Sequence, residues 1–190
     1  MKLRHCLAVL AVFALVVPAA MGEEISPAAA ATDDPIELGS LDNVIDGVIN
    51  HDQYVLLGDG ISGPFGGPYT VTFDLGDRYD LTAINLWNNA GASENDGEGI
   101  DAFNLRFLDI DDVEIDTFSD SATDTLAKQA FGLDVEDVAH VELTINSNHD
   151  MANRVYAGFY EVNFEGTLVP EPCTMTLLAA GGLALIRRRR

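Results

Sequence analysis

Cysteine is nearly missing from this chain of 190 residues, which has only Cys6 and Cys173. Each lies in a terminal apolar stretch, so the segment 23–169 contains none. No disulfide can therefore cross-link this segment, although about 150 residues suffice for one domain with a sizeable core. Its stability must come from burial, hydrogen bonds and any metal that it binds.

Basic residues are also scarce. Segment 23–169 holds four, Arg78, Arg106, Lys128 and Arg154, against all but one of the 31 acidic residues, so its net charge is about −26. Such a field repels nucleic acid and anionic lipid, and it favours cations and solubility. Two compatible explanations stay open: a solvated acidic surface on an exported protein, and calcium binding.

Sequence motifs of catalysis are missing as well. The four histidines are scattered, at positions 5, 51, 140 and 149, and no metalloprotease cluster, nucleophile elbow or phosphate loop occurs. Acidic pairs such as Asp111-Asp112 follow from composition alone, so a glycosidase pair cannot be singled out. The sequence predicts a protein that is not an enzyme.

The N-terminus has the pattern of a signal peptide over residues 1–22. Lys2 and Arg4 precede an apolar core that runs from Cys6 to Val17, and small residues follow at Ala20 and Gly22. This order is typical of a helical secretory signal that is cleaved on export. Cys6 comes too early for a lipoprotein site, so no lipidation is expected.

The C-terminal segment 169–190 combines three features in order: a Pro-Glu-Pro triplet, an apolar run over 174–186, and four arginines. As a helix, the run covers roughly 20 Å, which is short for a hydrocarbon core of about 30 Å. The arginines would remain cytoplasmic by the positive-inside rule. A simple membrane anchor is one interpretation. The residues that define the pattern are Pro170, Glu171, Pro172, Arg187, Arg188, Arg189 and Arg190.

This tripartite tail resembles the PEP-CTERM sorting signal. The resemblance implies processing by an exosortase-type membrane enzyme in an exopolysaccharide-producing Gram-negative bacterium. It further implies transient anchoring in the inner membrane by a short C-terminal transmembrane helix, followed by delivery to the cell surface or extracellular matrix.

Between the two termini, the pattern is that of short strands. Segment 23–40, rich in Ala, Pro and acids, is predicted to be a linker. From residue 41 onward, apolar and polar residues alternate with period two, and Gly, Asn and Asp mark the turns, which predicts an all-β sandwich. The predicted strands cover 70–75, 81–87, 102–108, 113–118, 138–145 and 156–164.

The order of motifs within 41–166 resembles the discoidin family, the coagulation factor 5/8 type C domains within the galactose-binding-like jelly rolls. The motifs are Asp46-Gly47, then 73–76 (Phe-Asp-Leu-Gly), then 84–88, and finally 161–166 at the closing strand. The resemblance implies a jelly-roll β-sandwich with a ligand site in the loops at one end.

The same resemblance implies a calcium site that ties the Asp-Gly loop to the closing strand. The matching side chains are Asp46 and Glu161, with Asn50, Asp52 and loop carbonyls as further ligands. Calcium takes six to eight oxygen ligands, so such a set suits it. A structural Ca²⁺ is therefore the one cofactor expected.

For ligand recognition, the resemblance directs attention to the loops 58–68, 88–99 and 146–154. Trp87 falls out of register at a strand end, which favours packing at a sandwich edge over stacking on a sugar. The side chains expected to contact a sugar are Phe65, Asn148, His149, Asn153 and Arg154.

Two functional hypotheses follow. In the first, the protein is an exported, non-catalytic carbohydrate-binding module that engages glycan or exopolysaccharide through a calcium-stabilised sandwich. In the second, it is a structural or adhesive matrix protein without a defined sugar ligand. A surface that scavenges calcium through many weak sites is a third interpretation.

Overall fold

The computed structural model describes residues 22–49, 52–59, 63–89 and 97–170. The predicted signal helix and the predicted C-terminal transmembrane helix lie outside these ranges, apart from Gly22. Of the sorting signal, Pro170 alone is described, and it is exposed. Within the described ranges, no helix is long and apolar enough to cross a membrane.

The described residues form strands and one short 3-10 helix over Leu41–Val44, which confirms the predicted all-β class. The two longest strands are β5, with 20 residues, and β8, with 17. The strands are β1 (Glu23–Ile25), β2 (Ala29–Ala31), β3 (Ile36–Leu38), β4 (Val55–Leu57), β5 (Tyr69–Asn88), β6 (Ala102–Leu108), β7 (Glu114–Ser121), β8 (Gln129–Ile145) and β9 (Ala157–Leu168).

The long strands β5 and β8 bend and thereby belong to two layers. Their central parts are irregular, with register shifts between Asp74 and Leu81. Gly76 has φ 80° and Asp137 has φ 62°, a conformation that glycine adopts without strain and that aspartate tolerates better than most residues. The two strands, predicted separately over 70–75 and 81–87, are therefore one continuous strand with a bend.

The two layers face each other across one core. In one layer, the first half of β5 pairs with β2 and with the second half of β8, β8 pairs with β6, and β6 pairs with β7. In the other layer, the second half of β5 pairs with the first half of β8 and with β9, which also pairs with β1 and β4. The alternating apolar positions of both layers point inward and bury large rings. Phe73, Phe103, Phe107, Phe159 and Phe164 are each at most 2 % exposed.

The prediction of a linker over 23–40 is wrong. β1 pairs with β9, β2 with β5 and β3 with β4, all antiparallel. Ile25 is buried opposite Phe164, and Ala30 lies opposite Phe73 and packs against the core. The composition misleads because a segment rich in alanine can form an edge strand through its backbone hydrogen bonds alone.

The described residues of three connections, 58–68 without 60–62, 89–101 without 90–96, and 146–156, meet at one end of the sandwich, hereafter the loop end. Phe65 N–H donates to Met151 C=O at 2.8 Å, and Asp150 N–H donates to Gly97 C=O at 3.1 Å. The three loops named in the sequence are thus held against one another by their backbones.

Candidate functional site

Two buried asparagines build the scaffold of the loop end. Asn88, at the end of β5, donates to Ile100 C=O at 2.7 Å and accepts from Ile100 N–H at 2.7 Å. Asn148 donates to the carbonyls of Arg154 and Tyr156, at 2.7 and 2.6 Å, and accepts from Asp150 N–H. Since Asn148 is 1 % exposed, its amide supports the loop beneath the surface and does not face solvent.

Glu98 and Arg154 form an ion pair within this scaffold. The backbone of Glu98 is bonded to β9, since its C=O accepts from Gly158 N–H at 2.9 Å. Its Oε1 lies 3.0 Å from Arg154 Nη1, and the carboxylate side chain is 6 % exposed against 36 % for the arginine. Burial raises the pKa of Glu98, and the guanidinium of Arg154 opposes that rise.

Beside this pair lie buried polar atoms that have no hydrogen-bond partner: both side-chain polar atoms of Asn89, Glu98 Oε2 and His149 Nε2. Their backbones adjoin, since Asn89 N–H donates to Gly158 C=O and His149 N–H donates to Gly99 C=O, both at 3.3 Å. A buried polar group without a partner costs about 1–3 kcal/mol, so a cluster of such groups makes this region a candidate for contact with a bound molecule or water.

Exposed Asn153 and half-buried Arg154 form the rim of the loop end, and half-buried Tyr156 follows in the same loop. Asn153 Nδ2 donates to Asp150 Oδ1 at 2.8 Å. A Cβ at Gly58 would come within 2.8 Å of Tyr156 Cδ1, so this glycine lets the two segments approach. An aromatic ring beside an amide and a guanidinium has the chemistry of a sugar-contacting surface.

Phe65 and Trp87, the two aromatic side chains considered from the sequence, are engaged in packing. The Phe65 ring is half-buried and contacts Tyr69 edge-on at 5.2 Å between centroids. Trp87 is 8 % exposed and carries Lys128 Nζ at 5.7 Å from its ring centre. The structure thus supports the packing interpretation for Trp87, and it brings Phe65 to the loop end without exposing its face.

The electrostatic environment of the loop end is negative. Burial raises the pKa of Tyr156, and the carboxylates of Glu37, Glu98 and Asp59 raise it further. Burial likewise raises the pKa of Tyr69, with Asp59 adding to the effect. Carboxylates from separate segments therefore act on the same small region.

A second buried carboxylate lies where the Asp-Gly loop meets the closing strand. Gly47 N–H donates to Glu161 Oε1 at 3.0 Å, and Asp46 Oδ1 accepts from Val48 N–H at 2.8 Å. Glu161 is 0 % exposed and its Oε2 has no partner. Burial raises its pKa to about 7; the Gly47 N–H lowers the pKa, while the charges of Asp46 and Glu24 raise it.

This arrangement fits part of the expected calcium set. A buried carboxylate oxygen without a hydrogen-bond partner is the kind of ligand that a hard cation takes. Asp46 is exposed with its carboxylate turned to its own loop, and Asp52 is exposed as well. Asn50 lies outside the described residues. Within the described ranges, no three His, Cys, Asp or Glu side chains group as metal ligands, so backbone oxygens would supply most of the coordination.

Sequence reasoning did not select Glu98, Asn89 or Tyr156. Glu98 is one of several acids in the loop 88–99, and its partner Arg154 is 56 residues away in the chain. Tyr156 was assigned to the start of a strand that begins at Ala157. No local pattern distinguishes these residues; their proximity comes from the meeting of three loops.

Comparison with known proteins identifies the fold. No family model and no curated relative matches the chain. Solved structures do: the lectin domain of lectinolysin complexed with Lewis b has a TM-score of 0.60 and 15% identity over 76% of this chain and 96% of that one. The family 32 carbohydrate-binding module of C. perfringens NanJ, in complex with galactose, has a TM-score of 0.58 and 13% identity, over 75% and 99%.

A fucose-binding module from Streptococcus pneumoniae matches at a TM-score of 0.57 and 14% identity, over 75% and 96%. The chain thus has the galactose-binding-like sandwich that these carbohydrate-binding modules share. The fold also occurs joined to catalytic domains: a protein with this kind of module and alginate lyase domains matches at 16% identity, over 79% of this chain but 35% of that one.

Proposed function

We propose that this protein is an exported, non-catalytic carbohydrate-binding module whose glycan site is the loop end. One observation carries the proposal: Asn153 and Arg154 reach solvent at the loop end, where side-chain polar atoms of Asn89, Glu98 and His149 are buried without a hydrogen-bond partner. Sugar hydroxyls both donate and accept hydrogen bonds, so they suit a surface that offers donors and acceptors together. Tyr156 supplies the aromatic ring beside it. The shared fold with glycan-binding modules supports the assignment.

Calcium has a structural part in this proposal. Glu161 and loop oxygens around Gly47 would hold the ion, with Asp46, Asn50 and Asp52 as further candidate ligands. Bound calcium would neutralise a buried carboxylate and fix the Asp-Gly loop on β9. The ion would thus support the sandwich without touching the sugar.

The two termini would deliver the module. Residues 1–22 direct export, and residues 169–190 serve as a PEP-CTERM signal that an exosortase processes, leaving the sandwich at the cell surface or in the matrix. The test is mass spectrometry of the protein secreted by a host with an exosortase. We expect loss of the arginine-bearing tail, and retention of it when Pro170, Glu171 and Pro172 are all replaced by alanine. Equal processing of the two chains would contradict this route.

Glycan binding is tested on an array of oligosaccharides, with calcium and with EDTA. We expect binding to a defined subset of sugars that Asn153→Ala reduces at least fivefold, because the rim amide is lost. The matched control is Asn104→Ala, an exposed asparagine on the outer face of β6, between the buried Phe103 and Leu105. A blank array for the wild-type protein would favour the alternative, a structural or adhesive matrix protein without a sugar ligand. Equal losses in the two variants would contradict the placement at the loop end.

A further inference from the structure

Each basic side chain of the sandwich is already neutralised by a carboxylate. The segments 50–51, 60–62 and 90–96 contain no Lys or Arg, so four residues account for all of them between 22 and 170. The ion pairs are Arg78–Asp137 at 2.8 Å, Arg106–Glu142 at 2.6 Å, Lys128–Glu165 at 3.2 Å and Arg154–Glu98 at 3.0 Å.

Arg154 is the single Lys or Arg of the three loop-end connections, which carry six acidic residues. Its partner Glu98 is 4 % exposed, so the carboxylate cannot turn to water when a competing anion approaches. Displacing Glu98 would leave its charge buried and unpaired, which is strongly unfavourable. An acidic ligand therefore meets an arginine that is not available to it.

The other charged groups at the loop end are carboxylates, which also disfavour an acidic ligand. Glu98 lies 3.0 Å from Arg154 at the rim, and the carboxylates of Glu37, Glu98 and Asp59 all raise the pKa of Tyr156. Asp150, whose Oδ1 accepts from Asn153, adds another carboxylate there. A ligand carboxylate placed among these groups is repelled, while an amine is attracted.

We propose that the glycan bound at the loop end carries no acidic groups: neutral or amine-bearing saccharides are accepted, and uronate, sialylated or sulfated chains are rejected. This inference rests on the proposed function of the loop end. The charges that carry it belong to Glu98, Arg154, Asp59 and Asp150, not to the fold, so relatives with the same sandwich need not share the preference.

The test compares oligosaccharides that differ only in charge. Galactan, glucan and chitin oligosaccharides are each titrated calorimetrically into the full-length protein, untreated and after oxidation of their C6 hydroxyls to carboxylates; chitosan oligosaccharides supply the amine form. We expect the oxidised form of any sugar that binds to bind at least about tenfold more weakly at low salt. The difference should shrink as salt rises, and chitosan should bind at least as tightly as chitin.

A pair of variants locates the effect. Glu98→Gln keeps the shape of the side chain and removes the charge that holds Arg154, so discrimination against the oxidised sugar should fall at least threefold. Glu142→Gln makes the same change of net charge beside Arg106, on the outer face of the sheet, and should leave the discrimination unchanged. An equal fall in both variants would show that overall charge, not the loop end, excludes acids, and would overturn the inference.

The failure of this inference is distinguishable from that of the proposed function. If an oxidised sugar binds as tightly as its untreated form, the inference is overturned and the proposed function stands. If none of the oligosaccharides binds, the proposed function fails and the inference fails with it.

Discussion

Glu98 and Glu161 are both buried carboxylates in which one oxygen has no partner, yet their surroundings differ. Glu98 Oε1 faces the guanidinium of Arg154, whereas Glu161 Oε1 accepts only the backbone N–H of Gly47. Burial raises both pKa values, and in Glu98 the arginine opposes that rise. The chain thus neutralises one buried acid itself and leaves the other to a proton or to an outside cation.

This difference separates the two roles that the structure offers. An acid paired with arginine shapes a surface for an uncharged ligand, because neither partner is left to attract an ion. An acid with only an N–H donor is stable when protonated or when a cation lies beside it. We therefore expect glycan binding at the Glu98 end and calcium binding at Glu161.

The largest effect is expected from breaking the Glu98–Arg154 pair. Arg154→Leu leaves the Glu98 charge buried and unpaired, and it should lower the free energy of unfolding at pH 7 by about 3 kcal/mol. Urea denaturation followed by circular dichroism measures this loss. The double variant Glu98→Gln/Arg154→Leu should recover most of it, and a double variant as unstable as Arg154→Leu alone would contradict the account.

Calcium bound at Glu161 should stabilise the protein by slightly less than Arg154→Leu destabilises it. At a calcium concentration of a hundred times the dissociation constant, binding adds about 2.7 kcal/mol to the free energy of unfolding. Thermal denaturation with calcium and with EDTA measures the shift. Asp46→Ala should weaken the response, Glu161→Gln should abolish it, and Glu98→Gln should leave it intact. A wild-type protein that shows no shift with calcium would exclude the site.

In the absence of calcium, the raised pKa of Glu161 should make the stability of the protein depend on pH. Its pKa is raised from 4.5 to about 7 in the folded protein, so the folded state binds more protons than the unfolded state between these values. The stabilising contribution is full below pH 4.5 and is lost as the pH rises to about 7, by roughly 2–3 kcal/mol. Comparison of wild type with Glu161→Gln over pH 4–8 in EDTA isolates this slope. A wild-type slope equal to that of the variant would contradict it.

The smallest effect is expected where an acid is exposed. Lys128 and Glu165 form an ion pair at 3.2 Å, and both side chains are 40 % exposed. Lys128→Met should change the free energy of unfolding by less than about 1 kcal/mol, because solvent screens such pairs. The same urea experiment gives the value. A loss as large as that of Arg154→Leu would mean that burial does not set the difference between these carboxylates.

The sandwich was largely predictable from the sequence, because alternation of apolar and polar residues fixes which side chains face the core. The five main strand regions after residue 69 and the buried positions of Phe73, Phe103 and Phe107 follow from it. β1 to β3 were not predictable, since strands of three residues are too short to show an alternating pattern and acquire their structure from the strands they pair with. These strands are held by hydrogen bonds between backbone groups, which every residue type can form, so the side-chain sequence does not reveal them.

The candidate sites were predictable in part. The contact between the Asp-Gly loop and Glu161 was implied by the resemblance to the discoidin family, and the structure contains it as the Gly47–Glu161 hydrogen bond. The ion pair of Glu98 with Arg154 was not predictable, because it joins two loops far apart in the chain. Asn148 looked like a sugar ligand because loops favour exposed asparagine; its three hydrogen bonds to the backbone of its own loop explain why it is buried.

The placement of the glycan site is the central claim, and it is tested most directly by titrating ¹⁵N-labelled protein with the strongest sugar from the array and recording amide chemical shifts. The account predicts shifts at Gly97 to Asp101 and at His149 to Tyr156, with the outer face of β5, β6 and β8 unaffected. Shifts confined to that sheet face, or at Gly47 and Glu161 without the loop end, would contradict it.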